Sequence, residues 1–292
     1  MNLTNPSEIK ALMNESGFSF KKKFGQNFLI NKEIPRKIAE ASVCEDSQGK
    51  RACIEIGPGI GVMTRELSDI YDKVVAFEID SELIPILSKT LADKNNVTVI
   101  NQDILEVDLK KYIDDNLSGY SVSVCANLPY YITTPIIMSL FESKAKIDRI
   151  VVMIQKEVAV RLTSKAGSNE YGSITPSVEY YAKVKKLFDV SPGNFMPRPE
   201  VTSSVIAFDV RKTPIVTPKS EEYLFRTIRG AFALRRKTAV NSLASEFSNI
   251  TKEEISRCLE NAGIDPAVRG ETLTLTQLSD LSDSIFDFLS FR

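Results

Sequence analysis

Up to Val210 the chain alternates two hydrophobic patterns. Short apolar runs rich in β-branched residues fall at Ala52–Ile56, Lys73–Ile79, Val97–Asn101, Ser121–Ala126 and Arg149–Ile154, and these predict strands. Between them apolar residues recur at the spacing of one helix face, as in Val62–Leu67, Ser81–Leu91 and Thr134–Ser143. Strands that alternate with helices build a mostly parallel sheet covered on both faces. Lys183–Val190 and Val201–Val210 then read as two strands joined by the proline-rich turn Ser191–Pro199, which predicts an antiparallel edge. From Lys219 onward only helical spacing remains, in Tyr223–Leu234 and in Lys252–Ala262, the latter ended by Gly263 and Pro266. Thr213-Pro214 and Thr217-Pro218 interrupt regular structure. The expected organisation is therefore an α/β domain over residues 1–212 and a small helical domain over residues 213–292.

Composition narrows the chemistry. The 292 residues are 43% hydrophobic and 26% charged, the balance of an ordinary globular protein. No apolar run approaches the roughly 18–20 residues of a membrane span. The polar start, Met1 to Gly17, reads as neither a signal nor a transit peptide, so a cytoplasmic location is expected. The four cysteines lie far apart without C-x-x-C spacing, which argues against a zinc site or a disulfide framework. Histidine is absent, which removes Ser-His-Asp and Cys-His nucleophile systems, imidazole metal ligands and histidine bases.

Charge matters through its distribution. Residues 16–37 carry Lys21, Lys22, Lys23, Lys32, Arg36 and Lys37 against Glu33, a local +5, and residues 223–245 carry Arg226, Arg229, Arg235, Arg236 and Lys237, another +5. The whole chain is −1, so the remainder is acidic. Two basic stretches on an acidic chain read either as solvated faces or as a polyanion-binding surface.

The turn Glu55-Ile56-Gly57-Pro58-Gly59-Ile60-Gly61 follows the first of these strands and precedes a helix. Glycines there let the backbone pass close to a ligand, at the place where open α/β sheets bind one. Pro58 removes an N–H that a pyrophosphate cradle would use, and the spacing is G-x-G-x-G, so a dinucleotide is disfavoured. Glu78 ends the next strand, placed to accept from both ribose hydroxyls of an adenosine. Asp103 follows the third strand; it suits an acceptor for an adenine amine, with Ile104 donating its N–H, and equally a helix N-cap.

Asn127-Leu128-Pro129-Tyr130 follows the fourth strand, at the same sheet end. An adenine amine is a poor nucleophile because its lone pair is delocalised into the ring. The Asn127 side-chain oxygen and the Leu128 carbonyl could hold its two hydrogens and favour a tetrahedral nitrogen aimed at a methyl sulfonium. Tyr130 offers a flat face to an extruded base, and Pro129 stiffens the turn. No general base is needed, since the methylated amine becomes acidic enough to lose its proton to water. The tetrapeptide also suits a plain β-turn.

These residues, with Phe24-Gly25-Gln26-Asn27-Phe28-Leu29, Phe77-Glu78-Ile79-Asp80, Gln155-Lys156-Glu157-Val158, Phe195-Met196-Pro197-Arg198-Pro199-Glu200-Val201 and Ala231-Phe232 followed by Arg235-Arg236-Lys237-Thr238, resemble the bacterial ribosomal RNA small-subunit adenine dimethyltransferase family over nearly the whole chain. The resemblance implies a Rossmann-like class I methyltransferase domain, a helical C-terminal RNA-binding domain, and S-adenosyl-L-methionine as cofactor. It implies N6,N6-dimethylation of two adjacent adenosines in the 3′-terminal hairpin loop of 16S rRNA, within a pre-30S particle, by a monomer. Carried over by position, Asn27, Leu29, Gly57, Glu78, Asp103 and Asn127 contact the cofactor. Asn127, Leu128 and Tyr130 meet the target adenine, and Phe195 packs on the base opposite Tyr130 or serves as a core aromatic. Met196 stands where many relatives have a second aromatic. The basic stretches become RNA contacts, the second on a helix carrying Arg235–Lys237. The macrolide-resistance enzymes of 23S rRNA, a non-catalytic nucleic-acid-binding relative and a protein-glutamine methyltransferase are the alternatives. Leu128, the intact Glu78 and Tyr130, and the Arg235–Lys237 stretch weigh against them.

Overall fold

The apolar runs become strands within a residue or two of their expected ends. A computed structural model of the chain describes residues 1–18, 26–44 and 49–291. Its elements begin with α1 (Pro6–Glu15), β1 (Phe28–Leu29), α2 (Glu33–Ala41), β2 (Arg51–Ile56), α3 (Val62–Ser68), β3 (Lys73–Glu78), α4 (Ile84–Thr90) and β4 (Val97–Asn101). They continue with α5 (Leu109–Asn116), β5 (Ser121–Asn127), α6 (Thr133–Glu142), β6 (Arg149–Gln155), α7 (Lys156–Leu162), α8 (Ile174–Tyr181) and β7 (Ala182–Val190). The last are β8 (Phe195–Met196), β9 (Ser203–Val210), α9 (Glu221–Phe232), α10 (Ala239–Glu246), α11 (Lys252–Asn261) and α12 (Leu275–Ser290).

Among the described residues, seven strands form one sheet in the order β4-β3-β2-β5-β6-β9-β7. The pairs β3/β4, β2/β3, β2/β5 and β5/β6 are parallel, and β6/β9 is antiparallel, so the expected antiparallel edge is present. Strands β2, β3, β5 and β6 are buried along almost their whole length, which is why they read as continuous apolar runs rather than alternating ones. The strand order reverses between β2 and β5, and ligands of open α/β sheets sit at the carboxyl ends of strands flanking such a point. Ile56 pairs with Ala126, so the turn after β2 and the turn after β5 leave the sheet side by side.

Internal contacts divide the chain into Met1–Ala159 with Lys185–Val210, and Val160–Val184 with Arg211–Arg292. The second division starts next to the expected 212/213 boundary but also gathers an earlier segment. That segment contains α8, whose Tyr180 is buried in the helical core with Leu224, Ile228, Leu243, Phe247 and Leu281. The strand-and-helix alternation carries no mark of which core a given helix joins.

One expected helix ends early. Residues Arg235–Lys237 lie in the turn between α9 and α10, not on a helix, and Arg236 has a left-handed backbone (φ 70°). The Ser242 hydroxyl donates to the Gly230 carbonyl at 2.6 Å and accepts from the Leu234 N–H at 2.9 Å. A side chain of α10 thus takes up groups that further helical turns of α9 would have paired.

Candidate active site

The turns after β2, β3 and β5 converge with the N-terminal segment on one cleft. Its lining includes Asn27, Leu29, Glu55, Gly57, Glu78, Asn127, Leu128, Tyr130 and Tyr131, and it encloses about 870 Å³ out to its mouth. The expected residues Asn27, Leu29, Gly57, Glu78, Asn127, Leu128 and Tyr130 therefore come together.

The floor is the glycine turn. Gly57 has φ 68°, a conformation that penalises any side chain, and a Cβ there would project into open space within the cleft. Gly59 answers a different need: a Cβ would lie 2.9 Å from the Phe28 ring, so only glycine lets the N-terminal segment settle on the turn. That segment is held by a short antiparallel pairing of β1 with β8, Phe28 opposite Met196 and Leu29 opposite Phe195. Gln26 donates to an Asp80 carboxylate oxygen at 2.9 Å, and the Asn31 amide donates to the Asn194 side-chain oxygen at 2.9 Å.

Glu78 closes β3 and is 4% exposed. One carboxylate oxygen accepts from the Asp80 N–H at 2.8 Å and the other from the Gly59 N–H at 3.2 Å. Burial pushes its carboxyl up to about 7 despite those bonds. Glu55, on β2, is 1% exposed, and neither carboxylate oxygen has a hydrogen-bond partner among the described residues. Burial, joined by the charge of Glu78, raises it to about 8 against the lowering influence of the nearby Thr64 hydroxyl. A buried carboxyl left unpaired beside a cleft is a costly arrangement that a cation or a donor in the cleft would relieve. A glutamate inside an otherwise apolar strand is the sequence signal that marks Glu55.

The turn after β5 holds the acceptor pair. The Asn127 amide nitrogen donates to the Asn27 carbonyl at 3.0 Å, which leaves the side-chain oxygen as the uncommitted end. The Leu128 N–H donates to the Met153 carbonyl at 3.1 Å, and no donor among the described residues reaches the Leu128 carbonyl. Two acceptors on successive residues therefore remain available at one edge of the cleft. The Tyr130 hydroxyl pairs with Ser203 at 2.9 Å, which fixes its ring. Tyr131, 62% exposed at the cleft mouth, is a second aromatic that adjoins Tyr130 in sequence.

Two expected residues stand apart. Asp103 does not line the cleft; its carboxylate accepts from the Leu105 N–H at 3.0 Å and caps the short helical turn that follows, the second of the two roles its position allowed. Phe195 is 3% exposed and packs in the core with Leu29, Ile34, Val190 and Val205. It is not among the residues that line the cleft. Of the basic stretches, Lys21–Lys23 lie outside the described residues, as do Phe24 and Gly25. Arg226 stacks its guanidinium 4.3 Å from the centre of the Phe247 ring and donates to the Glu246 carbonyl at 2.8 Å, and Arg229 lies 3.8 Å from the Glu246 carboxylate. Arg226 is committed to internal partners, while Arg229, Arg235, Arg236 and Lys237 are exposed.

Comparison with known proteins gives a consistent set of likenesses. The profile of the family described as ribosomal RNA adenine dimethylase matches residues 17–285. Ribosomal RNA small subunit methyltransferase A of Alkaliphilus metalliredigens is 44% identical over 283 residues, covering 97% of this chain and 98% of that one. The protein of the same name from Geobacillus thermodenitrificans is 45% identical over 286 residues, with 97% of each covered. In fold, the chain matches a dimethyladenosine transferase from Plasmodium falciparum with a TM-score of 0.72, at 24% identity over 90% of this chain and 98% of that one. The 23S rRNA methyltransferase ErmE matches with a TM-score of 0.66, at 22% identity over 89% and 100% of the two chains.

Proposed function

The chain belongs to the ribosomal RNA adenine dimethylase family and is a methyltransferase, and from that premise we propose that it dimethylates N6 of two adjacent adenosines in the 3′-terminal hairpin loop of 16S rRNA during small-subunit assembly. The observation that supports this most is the pair of uncommitted acceptors, the Asn127 side-chain oxygen and the Leu128 carbonyl, set on the cleft that also holds Gly57 and Glu78.

The cleft fits S-adenosyl-L-methionine as methyl donor. Glu78 presents a carboxylate to ribose hydroxyls, Gly57 leaves room where a side chain would intrude, and the orphaned Glu55 carboxyl suits a cationic ligand. Asn27 and Leu29 close the cleft from the N-terminal side. Asp103 enters this reading only through the carboxylate oxygen that does not cap the turn. When bound, the cofactor supplies an electrophilic methyl on a sulfonium.

The rest of the chemistry is positioning. The two acceptors take the two N6 hydrogens of an extruded adenine and turn the nitrogen lone pair out of the ring plane. Because Asn27 occupies the amide nitrogen of Asn127, the side-chain oxygen, not the nitrogen, faces the amine. Stacking on Tyr130 holds the base, an interaction worth about 1–3 kcal/mol per base. The proton of the methylated amine leaves to water. A hairpin-loop adenine is cheaper to extrude than a paired one. Arg235, Arg236 and Lys237 meet RNA phosphates and position the substrate without reading its sequence. Methyl transfer to small-subunit particles lacking the modification, read as dimethyladenosine by nucleoside mass spectrometry, tests this reading. Transfer to protein-free 23S RNA instead would replace it with the macrolide-resistance one.

A further inference from the structure

A second recess lies within the helical unit, enclosing about 1070 Å³ out to its mouth. Lys165, Lys183 and Arg211 line it against a single acid, Glu179. Among the described residues none of the three cations has a carboxylate within ion-pair distance, whereas Lys89, Lys94, Lys110, Lys111, Lys156, Lys186 and Lys219 all do. Arg211 is anchored: its Nε donates to the Glu179 carbonyl at 3.2 Å and its N–H to the Tyr181 carbonyl at 2.8 Å. Three cations against one acid give the recess a net positive lining that an anion from outside would complement.

The loop over residues 163–173, which forms one wall, links this recess to the exposed basic turn. The Tyr171 hydroxyl donates to the Leu273 carbonyl at 3.0 Å, and the Gly167 N–H donates to the Glu271 carbonyl at 2.7 Å. The Tyr171 ring lies 5.5 Å from that of Phe232, and Arg235 donates to the Asn169 carbonyl at 3.4 Å. The recess and Arg235–Lys237 therefore flank one pinned loop.

We propose that Lys165, Lys183 and Arg211 form a second phosphate-binding site, taking the sugar–phosphate backbone of the same RNA that the basic turn meets. The inference rests on the RNA-methylating reading above. A backbone contact of this kind fixes register and orientation and is read out by salt, since each neutralised phosphate releases bound counterions.

The test measures binding to small-subunit particles lacking the dimethyladenosines, as potassium chloride is varied at fixed magnesium. Lys165→Ala/Lys183→Ala should lower the slope of log affinity against log salt by about 1.5, from the ~0.7–0.9 expected per contact. Lys165→Arg/Lys183→Arg should keep the wild-type slope. Lys110→Ala/Lys111→Ala, which removes two lysines already paired with Asp114 and Asp115, should also leave it unchanged. Melting temperatures of all variants verify folding. An unchanged slope in the Lys165/Lys183 alanine variant, with the wild type still methylating the particles, overturns the recess alone. A wild type that neither binds nor methylates them overturns the recess and the proposed function together. Inorganic phosphate that competes with RNA for the wild type, and less for the alanine variant, supports the site; competition equal in both counts against it.

Discussion

Replacing Glu55 by glutamine isolates the cost of an unpaired carboxyl in the sheet. The side chain is 1% exposed, without a hydrogen-bond partner among the described residues, and its carboxyl is raised to about 8 from an ordinary 4.5. The folded state therefore holds this proton more tightly than the unfolded chain does. The stabilisation from holding it is complete below about pH 4.5 and is lost as pH rises through about 8. Each pH unit within that window removes about 1.4 kcal/mol, so the wild type loses roughly 4 kcal/mol between pH 4.5 and pH 7.5 through this group alone. That is a large share of the ~5–15 kcal/mol that keeps most proteins folded. Glutamine has the shape of the protonated acid but no proton to lose. In urea unfolding across pH 5 to 8.5, Glu55→Gln should flatten the stability profile by about 1 kcal/mol per pH unit. It should be close to the wild type at pH 5 and clearly more stable at pH 8.5. The same variant should reduce proton release on cofactor binding, measured by calorimetry in buffers of different ionisation enthalpy, leaving the share that Glu78 contributes. A wild-type slope retained in the glutamine variant would refute the reasoning, since it would mean that Glu55 ionises freely where it sits.

Three further outcomes follow from individual contacts. Glu78 must be ionised to serve ribose hydroxyls best, and its carboxyl titrates near 7, so cofactor affinity should weaken as pH falls below 7; a flat calorimetric Kd from pH 6 to 8.5 would contradict this. In Gly59→Ala the new methyl group meets the Phe28 ring at 2.9 Å, so the N-terminal segment must lift, and cofactor affinity should fall about tenfold or more; unchanged affinity would show that the segment takes no part in binding. Arg226→Ala removes the stacking on Phe247 and the bond to the Glu246 carbonyl, and should lower stability by about 1–3 kcal/mol while leaving the salt dependence of RNA binding unaltered. A reduced salt slope would return Arg226 to the RNA surface.

Much of this fold is legible because a buried parallel sheet imposes continuous apolar runs, and strands β2, β3, β5 and β6 announce themselves in that way. Gly57, Glu78 and Asn127 are legible too, since each directly follows or ends one of those runs at the end where ligands bind. The N-terminal roof is not. β1 is two residues long and its partner β8 is far away in sequence, so no periodicity marks it; Asn27 and Leu29 entered only through family resemblance. Phe195, for which a base contact and a core role both stand open in sequence, packs with Leu29 and Ile34 in the core. Asp103 shows the limit of spacing arguments, because an aspartate after a strand can cap a turn, meet a ligand or do both, and here one carboxylate oxygen caps. A basic run likewise does not reveal its partners: Arg226 looks identical to Arg235 in sequence, yet Glu246 at the end of the next helix and Phe247 just after it claim it.

The account stands or falls on the acceptor pair beside the methyl donor. Wild type and Asn127→Ala should be compared on small-subunit particles lacking the modification, with isotopically labelled S-adenosyl-L-methionine and nucleoside mass spectrometry of the 3′-terminal hairpin. The wild type should convert two adjacent adenosines to N6,N6-dimethyladenosine, while the variant transfers no methyl group yet binds the particles with nearly unchanged affinity. Dimethyladenosine formed by Asn127→Ala at the wild-type rate would contradict the proposed chemistry.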